Sequence, residues 1–124
     1  MSKIVIFVLI FITSLNAVEW LEYDEALKQQ QESKKIIMIG VVRSECHYCH
    51  EMQERVFDNS EMSVWLEKRF ILVKVNIDED TIPLGITTSF TPSFFFVNRK
   101  GEVVKKIPGA WNIEDFKSLT KGIK

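Results

Sequence analysis

The sequence predicts an α/β domain, a central mixed β-sheet flanked by helices, and three observations lead there. Apolar runs of strand length alternate with helical periodicities over the first two thirds of the chain. The last third breaks that rhythm with a proline-led strand, a turn and a second strand arranged as a hairpin, so the sheet is expected to be mixed. The 124 residues are 46% hydrophobic, enough for one core of modest size and too few for two. Sixteen Lys and Arg against seventeen Asp and Glu leave a net charge of −1, which excludes nucleic-acid binding by bulk charge.

The chain opens with Lys3, the apolar run Ile4 to Ile12, then Thr13, Ser14, Leu15, Asn16 and Ala17, the layout of a secretory signal peptide over residues 1–17. Nine continuous apolar residues fall short of the ~20 that cross a bilayer as a helix, so no stable membrane span is expected after cleavage. The domain then occupies 18–124, and the location implied is the periplasm.

Asp24 to Ser33 are good helix formers with acids in front and predict a mostly polar surface helix. Ile36 to Val42 is a continuous apolar run that suits a central strand buried on both faces. Past the loop Arg43-Ser44-Glu45, Met52, Val56 and Phe57 recur at helical steps, so a helix starts at the cysteines. Asp58-Asn59-Ser60 breaks it and caps another through Met62, Val64, Trp65 and Leu66. Phe70 to Ile77 is a second strand, with Asp78-Glu79-Asp80 as its exit. Leu84 to Thr88 is short for a helix. Thr91-Pro92 leads the strand Ser93 to Val97, and Asn98 to Gly101 turns into its hairpin partner Glu102 to Ile107. Pro108-Gly109 ends that arm, and Asn112 caps a last helix carrying Ile113, Phe116 and Leu119. Trp20 and Trp65 read as packing residues, while Trp111 follows a loop that could approach the active surface.

Both cysteines lie in one tetrapeptide, Cys46-His47-Tyr48-Cys49. A bridge there closes so short a loop that chain entropy gives it only about 2 kcal/mol, against about 4.7 for a hundred residues, so it is a poor staple. Outside the cytosol such a pair can open and close. At a helix start, unpaired N–H groups favour thiolate over thiol, so Cys46 is expected to be the acidic, exposed sulfur and Cys49 the shielded one, a turn further on. Cys46 would attack a partner's disulfide and Cys49 would resolve the mixed disulfide; reversed, the same steps oxidise a partner. Lowering a thiol pKa from ~8.5 to ~6.5 raises the thiolate about 25-fold at pH 7 but cuts its nucleophilicity about 8-fold, so the main effect is on redox poise. His47, when protonated, would stabilise the Cys46 thiolate and Glu45 would oppose it; Tyr48 would pack beside substrate or shield the bridge.

The strand leading into Cys46-His47-Tyr48-Cys49, the Thr91-Pro92 pair and the stretch Gly101 to Gly109 together resemble the thioredoxin-fold superfamily, more narrowly its small exported bacterial members. The resemblance implies a protein thiol–disulfide oxidoreductase, reduction being the favoured direction, with Cys46 and Cys49 catalytic and joined as a disulfide when oxidised. It also implies a cis peptide at Pro92, with Thr91 and Pro92 receiving an extended substrate segment. Protein thiols or disulfides would be the clients of a monomer recharged by a separate redox partner. No cofactor is needed, since the dithiol carries the electrons, and no metal is expected. Glu45 stands where the archetype has tryptophan and Gly40 where it has a buried acid, so a specialised member is expected rather than a general reductase. Two rival readings are a c-type haem attached through Cys46, Cys49 and His50, by the C-x-x-C-H pattern, and a thioredoxin-like module that binds without turnover.

Overall fold

Successive residues of a strand face opposite ways, and in β1 (Ile36–Val42) both sets are apolar. β1 is accordingly central. It pairs in parallel with β2 (Phe70–Asn76) and antiparallel with β3 (Ser93–Val97), whose other edge takes β4 (Val103–Pro108), giving the order β2-β1-β3-β4. The expected mixed sheet flanked by helices is the fold observed. The computed structural model describes residues 3–6, 8, 10 and 17–124; the expected leader, 1–17, falls mostly outside them.

The two faces of the sheet build two cores. Ile36, Met38, Phe70, Leu72, Phe94 and Phe96 point to one side, where they meet Met52, Val56, Phe57, Leu66 and Phe116. Those partners come from α2 (His47–Met52) with its continuation Gln53–Phe57, from α3 (Ser60–Arg69) and from α4 (Ile113–Thr120). Ile37, Ile39, Val41, Val73 and Phe95 point to the other side, covered by Ala26 of α1 (Tyr23–Ser33) and by Ile82 and Ile86. Side-chain oxygens of Asn59 and Asn112 accept from the backbone of Met62 and Asp115, so both asparagines cap helices.

Four features differ from the sequence expectations. α1 is not purely a surface helix: Gln30 is buried, and its amide donates to the carbonyls of Lys35 and Val97, both at 3.0 Å. The helix after the cysteines widens over Gln53–Phe57 into a π turn, closed by Asp58 N–H on Gln53 C=O at 2.8 Å, which turns both Val56 and Phe57 inward. Pro83–Gly85 forms one 3₁₀ turn, ahead of the weak signal at Leu84 to Thr88. Residues 18–21 run along the sheet, with Leu21 N–H on Leu72 C=O at 2.8 Å and a bridge from Leu21 to Val73.

Phe116 is fully buried, with its ring 5.0 Å from that of Phe94 and 6.0 Å from that of Phe57. Phe116→Ala is expected to lower unfolding free energy by about 3–5 kcal/mol. Urea denaturation should show this as an earlier midpoint at unchanged slope.

Candidate active site

β1 delivers the chain to the edge of the sheet, and the loop that follows is tied down before the first cysteine. Ser44 N–H donates to Asp78 Oδ2 at 2.9 Å, and Asn76 Nδ2 donates to Ser44 Oγ at 3.1 Å. Cys46 then takes extended backbone angles and caps α2, its Sγ accepting the Cys49 N–H at 3.1 Å. Cys46 and Cys49 are joined as a disulfide.

Pairing of Val41 with Ser93 puts the start of β3 beside the end of β1, so Thr91 and Pro92 come up against the cysteines. Their peptide bond is cis. Thr91 Oγ1 donates to Cys46 Sγ at 3.4 Å, and the Thr91 carbonyl oxygen lies 3.5 Å from the same sulfur. Pro92 C=O accepts the Gly109 N–H at 2.8 Å, which anchors this loop to the end of β4.

The expected contrast in access between the sulfurs is corrected: Cys46 and Cys49 are each 8% exposed. What distinguishes them is bonding, because Cys46 Sγ receives two donors and neither is directed at Cys49. Donors of this kind favour the thiolate once the bridge is reduced.

The residues expected to tune Cys46 lie outside this contact set. His47 is turned to solvent with Nε2 3.5 Å from Glu51 Oε2, and Glu51 also pairs with Arg55 at 2.8 Å. Glu45 and Tyr48 are exposed, and among the described residues no hydrogen bond or ion pair joins either to a sulfur. Trp111 does reach the neighbourhood. Its indole N–H donates to Pro108 C=O at 2.9 Å, and with Tyr48, Arg55 and Ile113 it lines an open groove of about 530 Å³ beside α2.

Beneath Cys49 lies a smaller cavity of about 210 Å³ that the sequence reading missed. Gly40 leaves it open, with Lys74 beside Gly40 on β2 and Phe94 beside it on β3. Trp20 lines it too, with its indole N–H buried and without a hydrogen-bond partner among the described residues. Lys74 Nζ donates to Gln53 Oε1 at 2.7 Å and sits 4.6 Å over the Trp20 ring. Burial pushes its amine below the ordinary lysine range, and the Asp58 carboxylate pulls it partly back. The available signal was a lone lysine inside the apolar strand Phe70 to Val75.

The haem reading does not suit this geometry. His50, which that reading needs as a free ligand, has Nε2 3.1 Å from Ser44 C=O, and Cys46 Sγ lies against Thr91, 3.4 Å from its Oγ1 and 3.5 Å from its carbonyl oxygen. Among the described residues no three His, Cys, Asp or Glu side chains converge as metal ligands.

A family model, the thioredoxin-like domain, matches residues 23–124. The chain belongs to the thioredoxin-like domain family. This thioredoxin-like domain superposes on a thioredoxin from Thermus thermophilus with a TM-score of 0.70 and 26% identity, covering 87% of this chain and 88% of that one. It superposes on a DsbH oxidoreductase at 0.66 with 19% identity, covering 86% and 87%. In sequence, 65 residues are 37% identical to human spermatogenesis-associated protein 20; they are 52% of this chain and 8% of that protein. A protein of Archaeoglobus fulgidus is 29% identical over 75 residues, 60% of this chain and 58% of that one. With the cysteine pair at the front of α2, the thioredoxin-like domain holds two bonded sulfurs in the arrangement that thiol–disulfide exchange requires.

Thr91→Val keeps the branched shape and removes one donor from Cys46 Sγ. The reactive thiolate forms above the thiol pKa, so losing a donor should move the pH midpoint of Cys46 alkylation upward, by about one unit. Alkylation of the reduced protein across pH checks this.

Proposed function

We propose that the protein is an exported reductant of protein disulfides, working as a monomer in the periplasm. Cys46 attacks the client disulfide, and Cys49 then attacks Cys46 Sγ in the mixed disulfide, releasing the client as a dithiol. The observation that carries this reading is the contact of Thr91 with Cys46 Sγ beside Pro92, which sets an acceptor carbonyl next to the reacting sulfur. A client segment lying extended along Thr91 and Pro92 would pair with this backbone as an added strand does.

Direction is argued from His47. Protonated and close to Cys46, it would stabilise the thiolate and make the pair oxidising; beside the Glu51 carboxylate its charge is taken up elsewhere. Export is supported by the basic and apolar start of the chain and by Ile4, Val5, Ile6, Val8 and Ile10, all strongly exposed rather than packed into either core. No helix among the described residues is long and apolar enough to cross a membrane. A separate membrane-side or soluble dithiol donor would recharge the pair.

Cys49→Ser should accumulate client proteins as mixed disulfides through Cys46, released by dithiothreitol, whereas Cys46→Ser should trap none. A Cys49→Ser protein that retains partners only non-covalently would make it a binding module. Equilibration of the pair in glutathione buffers is expected to give a potential towards about −270 mV; a value near −120 mV would reverse the direction.

A further inference from the structure

Charge on this protein is sorted along the sheet. Pairing of Ile36 with Phe70 and of Ile37 with Val97 puts the start of β1, the start of β2 and the end of β3 at one end of the domain, opposite the end where β1 leads to Cys46. Acids gather at the Cys46 end: Glu45 before the first cysteine, Asp78, Glu79 and Asp80 past the end of β2, and Glu114 and Asp115 in the first turn of α4. The far end is basic. Lys34 follows α1, Arg99 and Lys100 sit on the turn from β3 to β4, and Lys124 lies beyond α4; together they line an open concavity of about 460 Å³ that no Asp or Glu lines. All four are exposed, and among the described residues none of their side chains is paired with a carboxylate.

From this arrangement we infer that the basic end docks on an anionic lipid bilayer, with the cysteines turned away from the membrane. This surface is separate from the oxidoreductase reading, since none of its residues touches the sulfurs.

Ordinary helix chemistry accounts for some cations at this end and not for others. Lys68 and Arg69, in the last turn of α3, answer the helix macrodipole, and Arg69 is also stacked 3.9 Å over the Trp65 ring. Arg99 and Lys100 belong to a hairpin turn, and among the described residues their side chains make no bond within the domain. The acids at this end, Glu19, Glu32, Glu67 and Glu102, stand outside the concavity, and Glu67 is already engaged, its Oε1 accepting Glu19 N–H at 2.9 Å.

Where the chain enters the domain chooses a bilayer over a nucleic acid or an acidic protein. Leu21 bridges Val73 in parallel, so the residues before it run back towards the start of β2. Glu19 is fixed there by Glu67, whose carbonyl oxygen accepts Lys35 Nζ at 2.8 Å. The apolar stretch of residues 4–12 therefore joins the domain from its basic side, and the described members of that stretch are packed into neither core. A bilayer that takes up this stretch meets Lys34, Arg99, Lys100 and Lys124, while the acids at the Cys46 end are repelled and point the site outward. Cleavage after Ala17 would leave the docking surface in place, because all four cations lie beyond it.

Each Lys or Arg close to an anionic membrane surface raises partitioning about fivefold, and the attraction shortens with the Debye length, from about 10 Å in 0.1 M salt to about 3 Å in 1 M. The test is sedimentation of the full chain with vesicles of phosphatidylcholine, with and without about 30 mol% phosphatidylglycerol, at both salt concentrations. The ratio of the two partition coefficients cancels what the apolar stretch contributes equally to both vesicles. Wild type should prefer the anionic vesicles in low salt and lose that preference in 1 M salt. Arg99→Gln with Lys100→Gln should lower the ratio fivefold for each charge, about 25-fold together. Lys34→Gln with Lys124→Gln should do the same and serves if the turn variant fails to fold. Lys28→Gln with Lys106→Gln removes as much charge from the middle of α1 and β4, and should leave the ratio within about twofold of wild type. A wild-type protein with no preference for anionic vesicles, or an equal fall in all three double variants, would overturn the inference. So would binding to a DNA duplex through the same four residues without any vesicle preference. None of these results alters what the cysteines do.

Discussion

The pairing of β1 with β3 is the constraint on which the site depends. One strand ends at the loop to Cys46 and the other begins at Pro92, so the match of Val41 with Ser93 sets the sulfurs against Thr91. Because side chains alternate along a strand, a shift of one residue would send Phe94 and Phe96 to the α1 face and carry Phe95 into the core of α2, α3 and α4. Burial of the three phenylalanines thus enforces the register, and the register builds the site. The Gly109 bond to Pro92 extends the same discipline to β4.

The two cysteines have different surroundings. Cys46 Sγ accepts from Cys49 N–H and Thr91 Oγ1, while Cys49 lines a cavity that Arg43 and Lys74 also line and no Asp or Glu does. With the two cysteines equally covered, what differs between them is what each is bonded to and which side chains each faces. The exposed His47, Glu45 and Tyr48 form the rim around this centre.

Much of this was legible in the sequence because the signals were local. Runs such as Ile36 to Val42, the caps Asn59 and Asn112, and the tetrapeptide at 46–49 each carry their structural meaning within a few residues. Thr91 and Pro92 could be brought to the cysteines only through resemblance to a known fold, since 45 residues separate Thr91 from Cys46. What escaped depends on packing between distant segments. Gln30 looks like any polar helix residue until Val97 supplies an acceptor, and Lys74 looks like a strand-surface lysine until Gln53 and Trp20 close around it. Cys46 was expected to be open because helix starts often are, and the Thr91 wall is what covers it.

The π turn at Gln53–Phe57 limits how the chain can change length. It accommodates one residue more than a regular helix would between the buried Cys49 and the buried Phe57, and it leaves Gln53 aimed at Lys74. Deleting a residue here would restore an even helical repeat and rotate one end of the segment out of phase with the other. Either the apolar pair Val56 and Phe57 or the cysteine would lose its facing. Insertions and deletions should therefore be tolerated in the exposed stretch around Asp80 and Gly85 and be selected against between Cys49 and Asp58.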